Sequence, residues 1–291
     1  MWKSEEALPY LYEFISKGNK DNKVISAYLG KVASSDYTAD QKLLLIRKLI
    51  PYANSSDELS LLIKAAGKVK TFLSLVFVAD YIEHPEVALD AMNAVTSIVL
   101  PGPGEKITLT GDFVREVTQK VIQNLSGPDS QYVKIDLREF LGKMPKGKGY
   151  VSIFNGKDLF GWEGLVKNPI ARSKMSKREL AKAQKAANEQ MLRDWYVKDG
   201  VIGFKGEGYN NICTIKDYAD FEMIVDWKIT NGGDSGIYLR GTPQVQIWDI
   251  ARVSAGAQVG SGGLYNNQKN ERIPLQVADN PINDWNTFHI K

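Results

Sequence analysis

The chain has 291 residues, long enough for one large or two ordinary domains, and its 43% hydrophobic and 24% charged content is that of a folded globular protein. A net charge of +3 (37 Lys and Arg against 34 Asp and Glu) is too small to indicate nucleic acid, and no run of 18 apolar residues offers a membrane span. One cysteine, Cys213, excludes an internal disulfide and a cysteine-based zinc site.

In chain order, the amino terminus "MWKSEEALPYLYEF" carries acids where a signal peptide needs an apolar core, so it shows no export signal. From there to about Lys143 apolar residues recur with a helical period. The pattern predicts eight helices, at 4–17, 23–35, 38–52, 55–68, 70–83, 86–98, 109–125 and 130–143. Thr38 with Gln41 and Ser55 with Glu58 have capping-box spacing, and Pro85 stands where a first helical residue tolerates it. Successive helices with short connectors and no strand predict a HEAT-like α-solenoid over residues 1–144.

The character changes at "GKMPKGKGYVSIFNGKDLFGW", where Pro145 and three glycines read as a linker and "YVSIF" as a strand entering an Asn155–Gly156 turn. Further strands are predicted at 195–205, 211–215, 220–230, 235–241, 244–250 and 284–291, interrupted by a helical insertion at about 176–193. That insertion lies in the stretch Glu163–Asp194, which holds eight Lys and Arg against four acids; without interleaved aromatics it reads as a solvated helix face. In "DFEMIVDWKIT" the residues Phe221, Met223, Val225, Trp227 and Ile229 form one apolar face, expected to be core.

The stretch "NGGDSGIYLRGTPQVQIWDI" alternates differently. Every second residue gives Asp234, Gly236, Tyr238 and Arg240, then Gln244, Gln246 and Trp248. A sheet face that mixes carboxylate, guanidinium and amides with aromatic rings suits a saccharide, whose hydroxyls need paired polar groups and whose C–H faces stack on rings. The same face would serve as an ordinary solvent-facing sheet with a cross-strand Asp–Arg pair.

Six blocks in this order, "VSIFNGKDLFGW", "WYVKDGVIGF", "DYADFEMIVDWKI", "GGDSGIYLRGTPQVQIWD", "GAQVGSGGLYNNQ" and "DWNTFHIK", resemble the bacterial 3-keto-disaccharide hydrolase domain family, from about residue 149 to Lys291. The resemblance implies a concanavalin A-like jelly-roll sandwich over residues 145–291. It also implies further strands after the "WNT" strand, so the sandwich is expected to be truncated at its carboxy-terminal end. The family often has Asn-Ser-Gly at Asp234-Ser235-Gly236 and Glu at Gln244; the second change removes a carboxylate, so position 244 is not read as a base.

The implied chemistry is cleavage of glycosides already oxidised at C3 by a separate glycoside 3-oxidoreductase. A ketone at C3 acidifies C2–H, so a modest base starts an elimination and water then adds to the glucal. The expected catalytic residues are Asp234, Arg240, Glu222 and Tyr238, with Asp226 and Asp249 as further carboxylates. Gln244, Gln246, Trp248, Lys228, Tyr265 and Asn266 are expected to bind substrate. A divalent ion, calcium or manganese, would sit on Asp234 and Gln246. The resemblance also implies a periplasmic location.

Two other classes stay open: a non-catalytic carbohydrate-binding module, and a scaffold whose helical half docks a protein partner or a second copy. His84 is read as a helix cap, His289 as structural, Cys213 as a buried strand residue and "GSGG" at 260–263 as a turn loop without the Lys of a phosphate loop.

Overall fold

A computed structural model describes residues 4–18, 22–206 and 210–291. The chain separates into two compact units, Met1–Val151 and Ser152–Lys291.

The first unit is helical. Its helices are α1 (Ser4–Ser16), α2 (Asn22–Ser34), α3 (Ala39–Arg47), α4 (Ser56–Gly67), α5 (Phe72–Ala79), α6 (Ala88–Val99), α7 (Asp112–Asn124) and α8 (Ser130–Lys143). Each packs on its sequence neighbour, and α2 on α4 and α4 on α6 as well. Leu62, Ile63 and Ala66 of α4 meet Leu75 and Val78 of α5 and Ala91 and Val95 of α6 in one fully buried core that continues through Val114, Val121 and Leu137. The caps work as their spacing predicts: Thr38 Oγ1 accepts from Gln41 N at 3.3 Å and Ser55 Oγ from Glu58 N at 3.2 Å. Glu58 Oε2 accepts from Asn54 N at 2.6 Å, one residue before its cap.

Three expectations here need correction, the first being the 38–52 helix, which ends at Arg47 before a separate 3-10 turn at Ile50–Tyr52. The 70–83 helix is shorter, because Thr71 and Ser74 close a capping box at its start and the chain turns after Ala79. Pro85 lies in the turn before α6, where His84 Nδ1 accepts from Glu86 N at 3.3 Å.

The predicted strand at Tyr150 does not form. Lys148 O accepts from Asp112 N at 3.0 Å, Gly111 bridges Gly149, and Tyr150 stacks 4.7 Å from Phe72, so this segment is held by the helical unit. Gly149 sits at φ 63, and a Cβ there would lie 2.4 Å from Thr110 O. The Asn155–Gly156 turn does form: Asn155 Oδ1 accepts from Lys157 N and Asp158 N.

The second unit is rich in strands, so the protein is α+β. It contains β1 (Trp162–Gly164), α9 (Pro169–Ser173), α10 (Lys177–Asp194), β2 (Trp195–Lys198), β3 (Val201–Phe204), β4 (Ile212–Thr214), β5 (Met223–Trp227), β6 (Asp234–Tyr238), β7 (Gln244–Trp248), β8 (Leu264–Tyr265) and β9 (Asn286–Ile290). The stretch 195–205, expected as one strand, is a β2–β3 hairpin that reverses at Asp199 and Gly200, both with positive φ. "DG" is the dipeptide such a turn requires. The described strands make three two-stranded sheets (β1–β4, β2–β3, β5–β9) and one three-stranded sheet, β6–β7–β8, all antiparallel.

The helical insertion seals an edge. Gly164 N donates to Asn188 Oδ1 at 3.0 Å and Gly164 O accepts from Gln184 Nε2 at 2.8 Å, so two α10 amides replace a neighbouring strand on β1. A Cβ at Gly164 would lie 2.2 Å from Ala187 O, so only glycine lets the helix come this close.

On β5, Trp227 is buried as expected while Met223 and Val225 are half-buried. Trp227 packs on Phe288 at 5.1 Å, and a Cβ at Gly262 would lie 3.7 Å from the Phe288 ring. The apolar face of β5–β9 therefore turns toward β6–β7–β8, whose own apolar face carries the buried Val245 and Ile247.

Two helix glycines give opposite predictions. Gly30→Ala in α2 meets nothing within 4 Å and should stabilise by up to about 1 kcal/mol. Gly67→Ala in α4 puts its methyl 2.8 Å from Ala94 Cβ and should instead cost about 1–3 kcal/mol as α4 and α6 are forced apart. Urea midpoints of the two variants should shift in opposite directions.

Candidate functional site

The polar alternation of β6 and β7 becomes a real face because the two strands pair in a register that keeps like with like. Asp234 stands opposite Trp248, Gly236 opposite Gln246 and Tyr238 opposite Gln244, while Ile237 opposes Val245 on the buried side. The third strand extends the rows. Tyr265 pairs with Gln244, and Gln246 exchanges backbone bonds with Gly262 and Gly263 at 2.8 and 2.9 Å. Tyr238 and Tyr265 flank Gln244 and stay half-exposed, at 49% and 50%.

The middle of this face is a chain of hydrogen bonds. Gln244 Nε2 donates to Gln246 Oε1 at 3.2 Å and to Ser235 O at 3.3 Å. Gln246 Nε2 donates to Asp234 Oδ1 at 2.8 Å. Asp234 Oδ2 then accepts from Arg252 Nη1 at 2.6 Å. Gln246 is 3% exposed, so the carboxylate fixes which end of its amide faces which neighbour. Gly236 makes the room: a Cβ there would lie 2.2 Å from Gln244 Nε2.

Trp248 closes the row. Its Nε1 donates to Gly260 O at 2.9 Å and its backbone N to Ser261 Oγ at 3.2 Å. Ser261 N in turn donates to Asp279 Oδ2, so the "GSGG" segment is a braced edge of the site.

Several sequence-derived assignments are not brought here. Arg240 sits at φ 55 in the β6–β7 turn, between Leu239 and Pro243, and the cation that reaches Asp234 is Arg252. The face ends at Tyr238 because the hairpin reverses before the alternation reaches position 240. Glu222 lies beside β5 with His289 and with Lys291 Nζ at 3.3 Å, and Asp226 Oδ1 accepts from Thr287 Oγ1 at 2.7 Å. These residues share the β5–β9 face opposite Trp227 and Phe288, which is the face turned away from β6–β7–β8. Lys228 Nζ sits 4.8 Å over the Trp285 ring. Asn266 follows β8 in a turn at φ 55.

Asp249 has a bracing part beside the face. It lies just past β7, 1% exposed, with Oδ2 accepting from Gly232 N at 2.7 Å and Oδ1 from Ala251 N at 2.9 Å. It ties the turn before β6 to the turn after β7, and that second turn carries Arg252. Its pairing with Ala251, two residues on, is an Asx pattern visible in "DIAR"; the reach of Arg252 back to Asp234 leaves no local sign. Burial pushes the Cys213 thiol upward, as does nearby Glu163, so it is not poised as a thiolate nucleophile.

The expected metal pair can be tested on its own oxygens. Both Asp234 oxygens and Gln246 Oε1 already accept N–H bonds, and the Arg252 nitrogen at 2.6 Å stands where a calcium ion would bind a carboxylate, about 2.3–2.6 Å away. Among the described residues no three His, Cys, Asp or Glu side chains group to hold a metal. As arranged, Asp234 and Gln246 do not fit a divalent ion.

Residues 149–291 match the model of the 3-keto-alpha-glucoside-1,2-lyase-like domain. The match covers just under half of the chain. The keto-glucoside lyase-like domain is also similar to a 3-keto-disaccharide hydrolase of Bacteroides thetaiotaomicron, 26% identical over 98 residues, which cover 31% of this chain and 27% of that relative. The chain thus spans well under two thirds of the relative's length. No solved structure matches.

The Gly232 and Ala251 N–H groups hold the Asp249 carboxyl below the usual carboxylate range. A depressed folded-state pKa means stabilisation that is complete above about pH 4 and lost as pH falls through the folded value. Asp249→Asn should therefore lower the denaturant midpoint at pH 7, and its gap to wild type should close below about pH 4.

Proposed function

We propose that the open face of β6–β7–β8 cleaves the glycosidic bond of 3-keto-glucosides. The observation that carries this is the Gln244–Gln246–Asp234–Arg252 chain on an open sheet face flanked by two exposed tyrosines, within the region that matches the family. The name of the Bacteroides relative supports the substrate class.

Asp234 is the base. Its carboxylate is half-exposed, accepts two bonds that hold it in place, and keeps lone pairs for a proton. It takes the proton from C2, and that bond's electron pair forms C2=C3 with negative charge on O3. When the ketone re-forms, the pair moves to C1=C2, the C1–O bond breaks and the leaving oxygen gains a proton, which Tyr238 or Tyr265 can donate. Water then adds across C1=C2 to give the 3-keto sugar, so the sum is hydrolysis. The ring stacks on the tyrosines, and Gln244 offers its amide oxygen to a hydroxyl.

In this reading a separate glycoside 3-oxidoreductase supplies the substrate, in the periplasm. The helical unit is a HEAT-like solenoid, supported by packing between sequential and next-but-one helices. The strand unit is part of a concanavalin A-like sandwich, supported by the facing apolar sides of β5–β9 and β6–β7–β8.

Incubation with a 3-keto-disaccharide, followed by mass spectrometry, should show release of 3-keto-glucose or its glucal. Asp234→Asn should cut kcat by about 10²–10⁴ while binding persists. Sugar binding without any turnover by the wild type would instead make the face a carbohydrate-binding module.

A further inference from the structure

The elimination builds negative charge on O3, so a positive group must stand beside it. Arg240 is in the hairpin turn and Lys228 lies on Trp285, so neither is on the face. We infer that the Arg252 guanidinium is that group, and that it fills the seat a divalent ion would take on Asp234, so the site works without a metal. This rests on the reading of the face as a 3-keto-glucoside site.

The geometry supports it in three ways. First, Nη1 is committed, to Asp234 Oδ2 at 2.6 Å and Gly233 O at 3.5 Å, whereas Nη2 and Nε have no hydrogen-bond partner among the described residues. The side chain is 32% exposed, so those donors are reachable. A planar guanidinium with free N–H groups suits two adjacent oxygens, such as the 3-keto oxygen and the 2-hydroxyl.

Second, the backbone of Arg252 is pinned. Its N donates to Asp249 O at 3.0 Å and its O accepts from Ala255 N at 2.9 Å, while the Asp249 carboxylate holds Gly232 and Ala251. The charge is placed before substrate arrives, so little reorganisation is needed.

Third, the charge count stays constant. Before reaction, Arg252 faces the Asp234 carboxylate. When Asp234 takes the C2 proton it becomes neutral and the negative charge moves to O3. The guanidinium then faces the enediolate instead, so one cation serves one anion throughout. A divalent ion on Asp234 would have to displace Arg252 from this oxygen.

The test uses the full chain, treated with EDTA and passed over a chelating resin. It should bind 3-keto-glucose by calorimetry and cleave a 3-keto-disaccharide at an undiminished rate. Mn²⁺ or Ca²⁺ titrated alone should give no stoichiometric binding. Arg252→Ala should weaken 3-keto-glucose binding by about ten- to a hundredfold and Arg252→Lys should recover part of it, whereas Arg240→Ala should match wild type. Circular dichroism of each variant checks its fold, and Arg252→Gln gives a second, bulkier neutral variant.

Stoichiometric metal binding that Asp234→Asn abolishes, or activity lost on chelation and restored by metal, would overturn the inference while leaving the proposed reaction standing. Absence of 3-keto-glucose binding and of turnover, with and without metal, would overturn that reaction and the part given to Arg252 together.

Discussion

Burying one glutamine amide under an open sheet face constrains everything around it. Gln246 is almost wholly covered, so its donor and its acceptor must both be satisfied by protein. Gln244 supplies the donor for its oxygen and Asp234 the acceptor for its nitrogen. Asp234 is thereby held at the edge of the face with one oxygen left for a cation, and Arg252 fills that place. The polar network has a direction, from neutral amides to a carboxylate and then to a guanidinium. A half-satisfied network would cost more than an apolar row, so register, glycines and loops are all subordinate to keeping it complete.

The supporting parts sit outside the face. Gly236 lets Gln244 lie flat over β6, since any side chain there would occupy the amide's position. Asp249 joins two turns that flank the strands and so determines where Arg252 starts. Asp279, Ser261 and Trp248 brace the third row from the β8 side. On the other side of the unit, α10 lends two amides to β1, so an insertion that reads as a solvated basic helix also serves as an edge cover. Its lysines, arginines and glutamates are exposed, while Gln184, Ala187 and Asn188 make that contact.

The two halves of the chain show different degrees of local determination. In the helical unit the elements carry their own signals: an apolar stripe of period 3.6, a polar connector and, at α3, α4 and α5, a Ser or Thr cap. Packing between near neighbours in sequence then follows, and the helix positions were legible almost to their ends. In the strand unit a five-residue strand carries little information of its own, and its partner can be as distant as Ile290 is from Met223. The Asp199–Gly200 reversal was written locally, but it competed with a longer run of β-forming residues on either side. Tyr150 has every property of a strand residue, yet stacking on Phe72 claims it for the helices.

The sequence by itself determined the eight helices of the first unit and the members of the polar row, because these depend on periods and caps that span only a few residues. Asp234, Tyr238, Gln244, Gln246 and Trp248 share a face by alternation alone, and Tyr265 joins them once β8 pairs with β7. Only the tertiary structure decided which cation the row contains and which of the other candidates stay off it. Glu222 has the right chemistry but stands on the far face of another sheet, and Arg240 has the right parity but falls in the turn where alternation ends. Arg252 lies past the end of β7, where alternation no longer applies. It arrives because Asp249 folds the chain back on Gly232, a contact between residues 17 apart that no periodicity encodes.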